Sequence, residues 1–368
     1  MNYEDYTVGI ICAIATEFAA ACALLDKEHT LLPRRSHHDD NAYTLGEIGD
    51  HNVVIATLPS GKYGIASAAV VAKDMLHSFP FIRIGLMVGI GGGAPTSEHD
   101  IRLGDVVVGR GILQYGYGKA IQGRKFKIKG SLNSPPTELL TALSKLEANH
   151  KIKGHQIAQS VSAMIRKNPR MKTEYECPGT GEDRLFEAES VHAHDNRPCN
   201  ISCNSSAPPI IERRTRTPNE NNPAVHYGRI ASSDMLMKDA KWRDTLANEH
   251  DVLCFEMEAA GLTDNFPCVV IRGICDYSDT HKNDMWQGYA AAVAASYAGE
   301  FLRSMPSWQF KITGSLQDVN NSGVSVSWLL MRTLAIRTGK NTWQQQLAYV
   351  REKSWTSYLS LKLTIRSI

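Results

Sequence analysis

Along the chain, short apolar runs alternate with longer alanine-rich stretches. YTVGIICAI leads into TEFAAACALLDKE, NVVIATLP leads into GIASAAVVAKDMLHSF, and IRIGLMVGI passes through a glycine-rich turn to DVVVG. Runs of this length, separated by segments of helical period, read as buried strands joined by crossover helices. The pattern returns after the midpoint, where CVVIRGICD reads as a buried strand and QGYAAAVAASYAGEFLRSM as a closing amphipathic helix. The expected fold class is α/β, with a mixed, largely parallel central sheet flanked by helices.

Residues 166–225 interrupt this order. They are rich in Pro, Asn, Arg and Glu with little periodicity, as expected of a long surface excursion or a partly disordered insertion in a domain spanning 1–306. Beyond it, SLQDVNNSGVSVS reads as a linker and the rest of 307–368 as a basic, weakly amphipathic tail. No internal repeat is visible.

Composition narrows the choices further. With 43% hydrophobic residues, a chain of 368 holds a sizeable core. Forty basic against thirty-eight acidic side chains leave the charge near neutral, so no nucleic acid and no membrane surface is implied as a partner. No run approaches the ~20 apolar residues of a membrane span, and MNYEDYTVGIICAIATEF lacks a basic region ahead of its apolar run, so the expected location is cytoplasmic. The eight cysteines are scattered, several within apolar runs, as small hydrophobes rather than a disulfide framework. His192, His194, Cys199 and Cys203 cluster, but their spacing fits a polar surface loop better than a zinc site.

Candidate chemistry starts at CFEMEAAGL, residues 254–262, which reads as a buried helix carrying Glu256 and Glu258. Two apart, they project from different faces, one outward and one inward. An inward carboxylate needs an internal partner or an arriving ligand, because its desolvation costs several kcal/mol. In LMVGIGGGAP, residues 86–95, the glycines let a ligand approach the backbone. A dinucleotide-binding turn would open a helix there, whereas Pro95 and another strand follow. Glu17, these glycines and Asp276 each follow a strand, and ligands of open α/β sheets gather at such ends. Taken singly, Glu17 and Asp276 also have a plain reading as helix-start or capping acids.

VGIICAIATEF, VGIGGGAP with DIRLGDVVVG, CFEMEAAGL and VIRGICDYSD, covering roughly residues 6–305, together resemble the nucleoside phosphorylase and nucleosidase superfamily. The likeness is nearest to its fungal members, which are often fused ahead of ATPase or repeat modules in immune-receptor-like proteins. The resemblance implies a purine nucleoside or nucleotide substrate, no cofactor or metal, and a homo-oligomer, either a dimer or a trimer of dimers. Glu258 would hydrogen-bond the ribose hydroxyls, with Met257 packed on the sugar, and Ile90, Gly91 and Gly92 would line the same site. Leu236 and Met237 would flank the base. Asp276 would protonate or hydrogen-bond the purine N7, its proton retained by burial.

The superfamily divides by nucleophile. Related phosphorylases place an arginine after the first strand, another before the glycine loop and a hydroxyl within it, where this chain has Glu17, Met87 and Ile90. A carboxylate repels phosphate but activates water, so hydrolysis of the glycosidic bond with Glu17 as base is favoured over phosphorolysis. Lys62 or a neighbouring subunit's arginine would be needed to rebuild a phosphate site. A non-catalytic nucleoside-binding module is the third reading. In KAIQGRKFKIKG, Lys119, Arg124, Lys125, Lys127 and Lys129 form either a solvated edge or a contact for a substrate's phosphates.

Overall fold

The computed structural model describes residues 1–33, 37–122, 125–131, 134–192, 203, 209–217, 220, 222–263, 266–282 and 284–306. The expected linker and tail at 307–368 lie outside the described residues, as do Arg124, His194 and Cys199. The described strands are β1 (Val8–Cys12), β2 (Lys27–His29), β3 (Tyr43–Ile48), β4 (His51–Thr57), β5 (Ile84–Gly93), β6 (Val106–Ile121), β7 (Lys125–Ser131), β8 (Val225–Ser232), β9 (Val252–Glu256) and β10 (Cys268–Asp276). The helices are α1 (Ala15–Ala23), α2 (Ile65–Ser78), α3 (Thr137–Lys153), α4 (Ile157–Lys167), α5 (Lys172–Tyr175), α6 (Ala240–His250) and α7 (Gln287–Arg303).

The strands form one sheet in the order β10-β6-β8-β9-β5-β1-β4-β3-β2, with β7 on β6. Pairings β1–β4, β1–β5, β5–β10, β6–β8 and β8–β9 are parallel. Pairings β2–β3, β3–β4, β5–β9, β6–β7 and β6–β10 are antiparallel. Because β5 pairs with β10 as well as β9, strands β5, β10, β6, β8 and β9 close on themselves, while β1, β4, β3 and β2 extend outward from β5.

Alternation along the strands divides the core into two layers. Val8 and Ile10 of β1, with Ile84, Leu86 and Val88 of β5, meet the helices of one face. Ile11 and Met87 point the other way, toward Val71, Ala72 and Met75 of α2. Strands covered on both faces have no polar side to show, which is why β1 and β10 are buried along their whole length. Each large side chain so buried contributes about 1.5–3 kcal/mol.

Three expectations need correction here. CFEMEAAGL is not a helix: β9 runs to Glu256, a 3-10 turn covers Ala259–Gly261, and both glutamates are buried. Sheet pairing of β9 with β8 and β5 overrides the local helical tendency. The glycines at 89–93 are no turn either, since they continue β5 and pair with β10 and β9. The closing helix α7 is buried around most of its circumference, because α1, α4 and α5 cover the side turned away from the sheet.

The described parts of the insertion are tied to the domain rather than running free over its surface. Tyr175 is buried and its hydroxyl donates to the Thr16 carbonyl at 2.9 Å. Leu185 and Phe186 are buried, Arg216 pairs with buried Asp105, and Arg213 donates to the Ile101 carbonyl at 3.0 Å.

Candidate active site

A cavity of about 190 Å³ opens where β5, β9 and β10 end beside the start of α1. Glu17 enters it from the first turn of α1. Ile90, Gly91 and Gly92 come from β5, Glu256 ends β9, Met257 and Glu258 follow it, and Asp276 ends β10. Leu236 and Met237 come from the segment after β8; Met237 is buried, whereas Leu236 is half exposed. Tyr115 and Phe255 add an aromatic wall, their rings edge to face with centroids 5.5 Å apart. Lys62, Lys119, Lys127 and Lys129 are not among the residues lining the cavity, and Met87 lies in the core.

Beneath the cavity, Arg272 sits in mid-strand on β10 with no solvent exposure. Its guanidinium pairs with Glu256, reaches Glu258 at 3.4 Å and Glu17 at 3.8 Å, and donates to the Ile90 carbonyl at 3.3 Å. Burial disfavours its charge, but the surrounding glutamates outweigh that and hold it firmly protonated. Arg272 lies outside the acid and glycine positions that the motifs singled out, and Glu256, one of the two acids of CFEMEAAGL, pairs with it instead of facing outward. The available signal was a basic residue inside the otherwise apolar run CVVIRGIC, which a wholly buried strand tolerates only beside carboxylates.

Glu17 is fixed by the backbone. One carboxylate oxygen accepts from the N–H of Ala13 at 2.6 Å and of Ile14 at 3.2 Å, the other from Ile90 at 2.8 Å. Burial raises its pKa, against the opposing pull of Arg272 and these amides, which makes it a stronger base than an exposed glutamate. Glu256 accepts from the N–H groups of Glu258 at 3.1 Å and Ala259 at 3.0 Å, so it caps the turn that carries Glu258. Glu258 accepts from the Gly64 N–H at 3.3 Å. Burial pushes its pKa up to about 7, Arg272 opposes, and repulsion from Glu256 and Glu17 adds to the rise. Three carboxylates thus share one guanidinium, leaving a negative excess suited to a positively charged reaction centre.

At the other end, Asp276 accepts from the Ser278 N–H at 2.8 Å through Oδ1, while Oδ2 faces Lys282 Nζ at 2.9 Å and the Cys275 thiol at 3.3 Å. Burial of Asp276 therefore comes with a cation, which corrects the picture of a carboxyl shielded by apolar surroundings alone. Lys282 also lines the cavity.

The glycines of β5 make these crossings possible. A Cβ on Gly89 would overlap the Arg272 guanidinium and the Glu17 carboxylate, and one on Gly92 would overlap Ser278 Oγ and lie 2.6 Å from Asp276 Oδ1. At those two positions the missing side chains leave room for the protein's own buried charged and polar groups. Among the described residues no group of three or more His, Cys, Asp or Glu side chains is arranged to hold a metal ion.

Comparison with known proteins agrees with this architecture. The chain is 45% identical over 310 residues to a nucleotide-binding leucine-rich repeat (NLR)-like protein of Hyaloscypha variabilis, an alignment covering 80% of this chain and 29% of that one. It is 24% identical over 306 residues to ATP nucleosidase Cap17 of Escherichia coli, covering 81% of this chain and 51% of that protein. The chain thus spans about half or less of the length of these two relatives. In fold it is similar to the crystal structure of 5'-methylthioadenosine/S-adenosylhomocysteine nucleosidase from Helicobacter pylori, with a TM-score of 0.50, 15% identity, and 82% and 99% of the two chains covered. No helix among the described residues is long and apolar enough to cross a membrane. Residues 7–303, the stretch that builds both the sheet and the cavity, match the model of the phosphorylase superfamily, and the chain belongs to that superfamily.

Proposed function

We propose that this chain hydrolyses the N-glycosidic bond of a purine nucleoside or nucleotide. The observation that carries the reading is the placement of Glu17: a buried, backbone-anchored carboxylate stands at the cavity where a phosphate nucleophile would need positive charge. Both cations at the site, Arg272 and Lys282, are already paired with carboxylates, so a phosphate ion would meet a net negative surface. Water has no such difficulty. Glu17 takes a proton from water as its oxygen bonds to the anomeric carbon, and the departing electron pair passes to the base, which Asp276 protonates at a ring nitrogen. Glu258 accepts hydrogen bonds from the ribose hydroxyls, which strengthen as the sugar becomes cationic, and Met257 packs on the ring. Leu236, Met237 and Phe255 flank the base, and Ile90, Gly91 and Gly92 form the floor.

The names of two relatives support this class of reaction. One is the ATP nucleosidase above; another is a 5'-methylthioadenosine/S-adenosylhomocysteine nucleosidase of Mycobacterium bovis, 20% identical over 308 residues covering 97% of that protein. Adenosine, inosine, guanosine, methylthioadenosine and ATP, each incubated with the protein in phosphate-free buffer, test the proposal by chromatography of the free base. At least one is expected to yield base together with a sugar bearing an anomeric hydroxyl, and Glu17→Ala is expected to slow that reaction by ~100- to 10,000-fold, the usual cost of losing a general base. No base from any substrate, or strict dependence on phosphate with ribose 1-phosphate as product, would overturn it.

A further inference from the structure

We propose that Lys282 is the proton source for the departing base, acting through Asp276, an inference that rests on the hydrolytic reading above. Among the described residues every hydrogen-bonding partner of the Asp276 carboxylate is a donor: the Ser278 N–H at 2.8 Å, the Cys275 thiol at 3.3 Å and the Lys282 ammonium at 2.9 Å. Asp276 and Lys282 both line the cavity, so the ion pair joins an ammonium proton to a carboxylate that faces the base site. Accessibility points the same way. The Asp276 side chain is 5% exposed and the Lys282 side chain 22%, so the lysine is the member of the pair that solvent can recharge. Burial opposes the charge on Lys282, but Asp276 and Cys275 outweigh it and raise its pKa, so the ammonium is charged when a substrate arrives.

The step balances as follows. The carbon–nitrogen bond breaks and its electron pair stays on the purine. One proton passes from Lys282 Nζ to Asp276 Oδ2 and from the carboxyl group so formed to the ring nitrogen, leaving a neutral amine and the original carboxylate. Glu17 meanwhile holds the proton removed from water. Release of that proton to solvent and uptake of one by Lys282 restore the enzyme, so the net reaction consumes substrate and water alone.

The test compares two leaving groups in the full chain. Lys282→Met is expected to lower kcat for purine release by ~100-fold or more, in the range of general-acid contributions, while hydrolysis of p-nitrophenyl β-D-ribofuranoside, whose nitrophenolate departs without a proton, changes less than about threefold. In Lys282→Ala, added ethylammonium is expected to restore part of the purine release and to leave nitrophenyl hydrolysis unmoved. Should Lys282→Met not fold, Lys282→Arg keeps the cation but gives up its proton far less readily, and the same split between substrates is expected. Equal losses on both substrates, or no loss on either, would overturn the relay. Failure of the hydrolytic reading itself is distinguishable, because the unaltered protein would then release no base in phosphate-free buffer.

Discussion

Replacing Glu258 with glutamine separates what this residue does for the fold from what it does for the reaction. In the folded protein its pKa is pushed up to about 7 from an ordinary 4.5, first by burial and then by the neighbouring glutamates. A carboxyl that holds its proton more tightly when folded favours folding while protonated. Its contribution is therefore complete below pH 4.5 and is lost as pH rises through about 7. At about 1.4 kcal/mol for each pH unit, the interval amounts to roughly 3 kcal/mol. Total stabilities are typically about 5–15 kcal/mol, so the effect is readily measured. Glu258→Gln keeps the shape and removes the titration. Urea unfolding at intervals from pH 4 to 8 should show variant and parent nearly equal at the acid end and the variant more stable by up to about 3 kcal/mol at the alkaline end. Taking the difference between the two curves cancels the titrating groups that do not interact with Glu258. Turnover should move the opposite way: a charge-assisted hydrogen bond contributes about 1.5–3 kcal/mol, so its loss should cost roughly 10- to 100-fold in base release. A stability difference independent of pH would refute the electrostatic reasoning, and near-normal turnover would refute the sugar contact.

Arg272→Met leaves Glu17, Glu256 and Glu258 buried without their cation, and should destabilise the protein by about 3–5 kcal/mol at pH 8. The penalty should shrink near pH 5 as Glu17 and Glu258, whose pKa values burial raises, take up protons; an unchanged urea midpoint at pH 8 would contradict the pairing. Gly92→Ala puts a methyl group against Ser278 Oγ and Asp276 Oδ1, and should lower kcat by ~100-fold with little change in circular dichroism, since displacing a reacting group by about 1 Å suffices for that. A fully active Gly92→Ala protein would place Asp276 away from the chemistry.

Much of this architecture is readable from the sequence because its strands are buried on both sides. VGIIC and CVVIRGICD announce themselves as continuous apolar runs, and the residues after them necessarily fall at the sheet's carboxyl edge, which brings Glu17 and Asp276 to one cavity. What resists reading depends on partners distant in the chain. CFEME suits helix and strand equally, and only its pairing with β8 and β5 decides between them. The glycines of β5 look like a turn until Arg272 and Glu17 are seen to need the space they leave. Arg216 reads as part of a loose polar loop, yet it finds buried Asp105 across 111 positions of chain. Arg272 and Lys282 become legible only through the carboxylates they face.

The closed circuit formed by β5, β10, β6, β8 and β9 gives the cavity an unusual kind of security. An open sheet can peel from its edge, one ladder at a time, but a circuit has no first strand to lift away. Releasing β5 from its neighbours means parting the β9 and β10 ladders together, as well as its pairing with β1. The supports of Glu256, Asp276 and the glycines therefore come apart only with most of the domain, not by local fraying. The half-exposed Tyr63 and Leu236 line the same cavity from segments outside the circuit, so its mouth can be altered without parting any of these ladders.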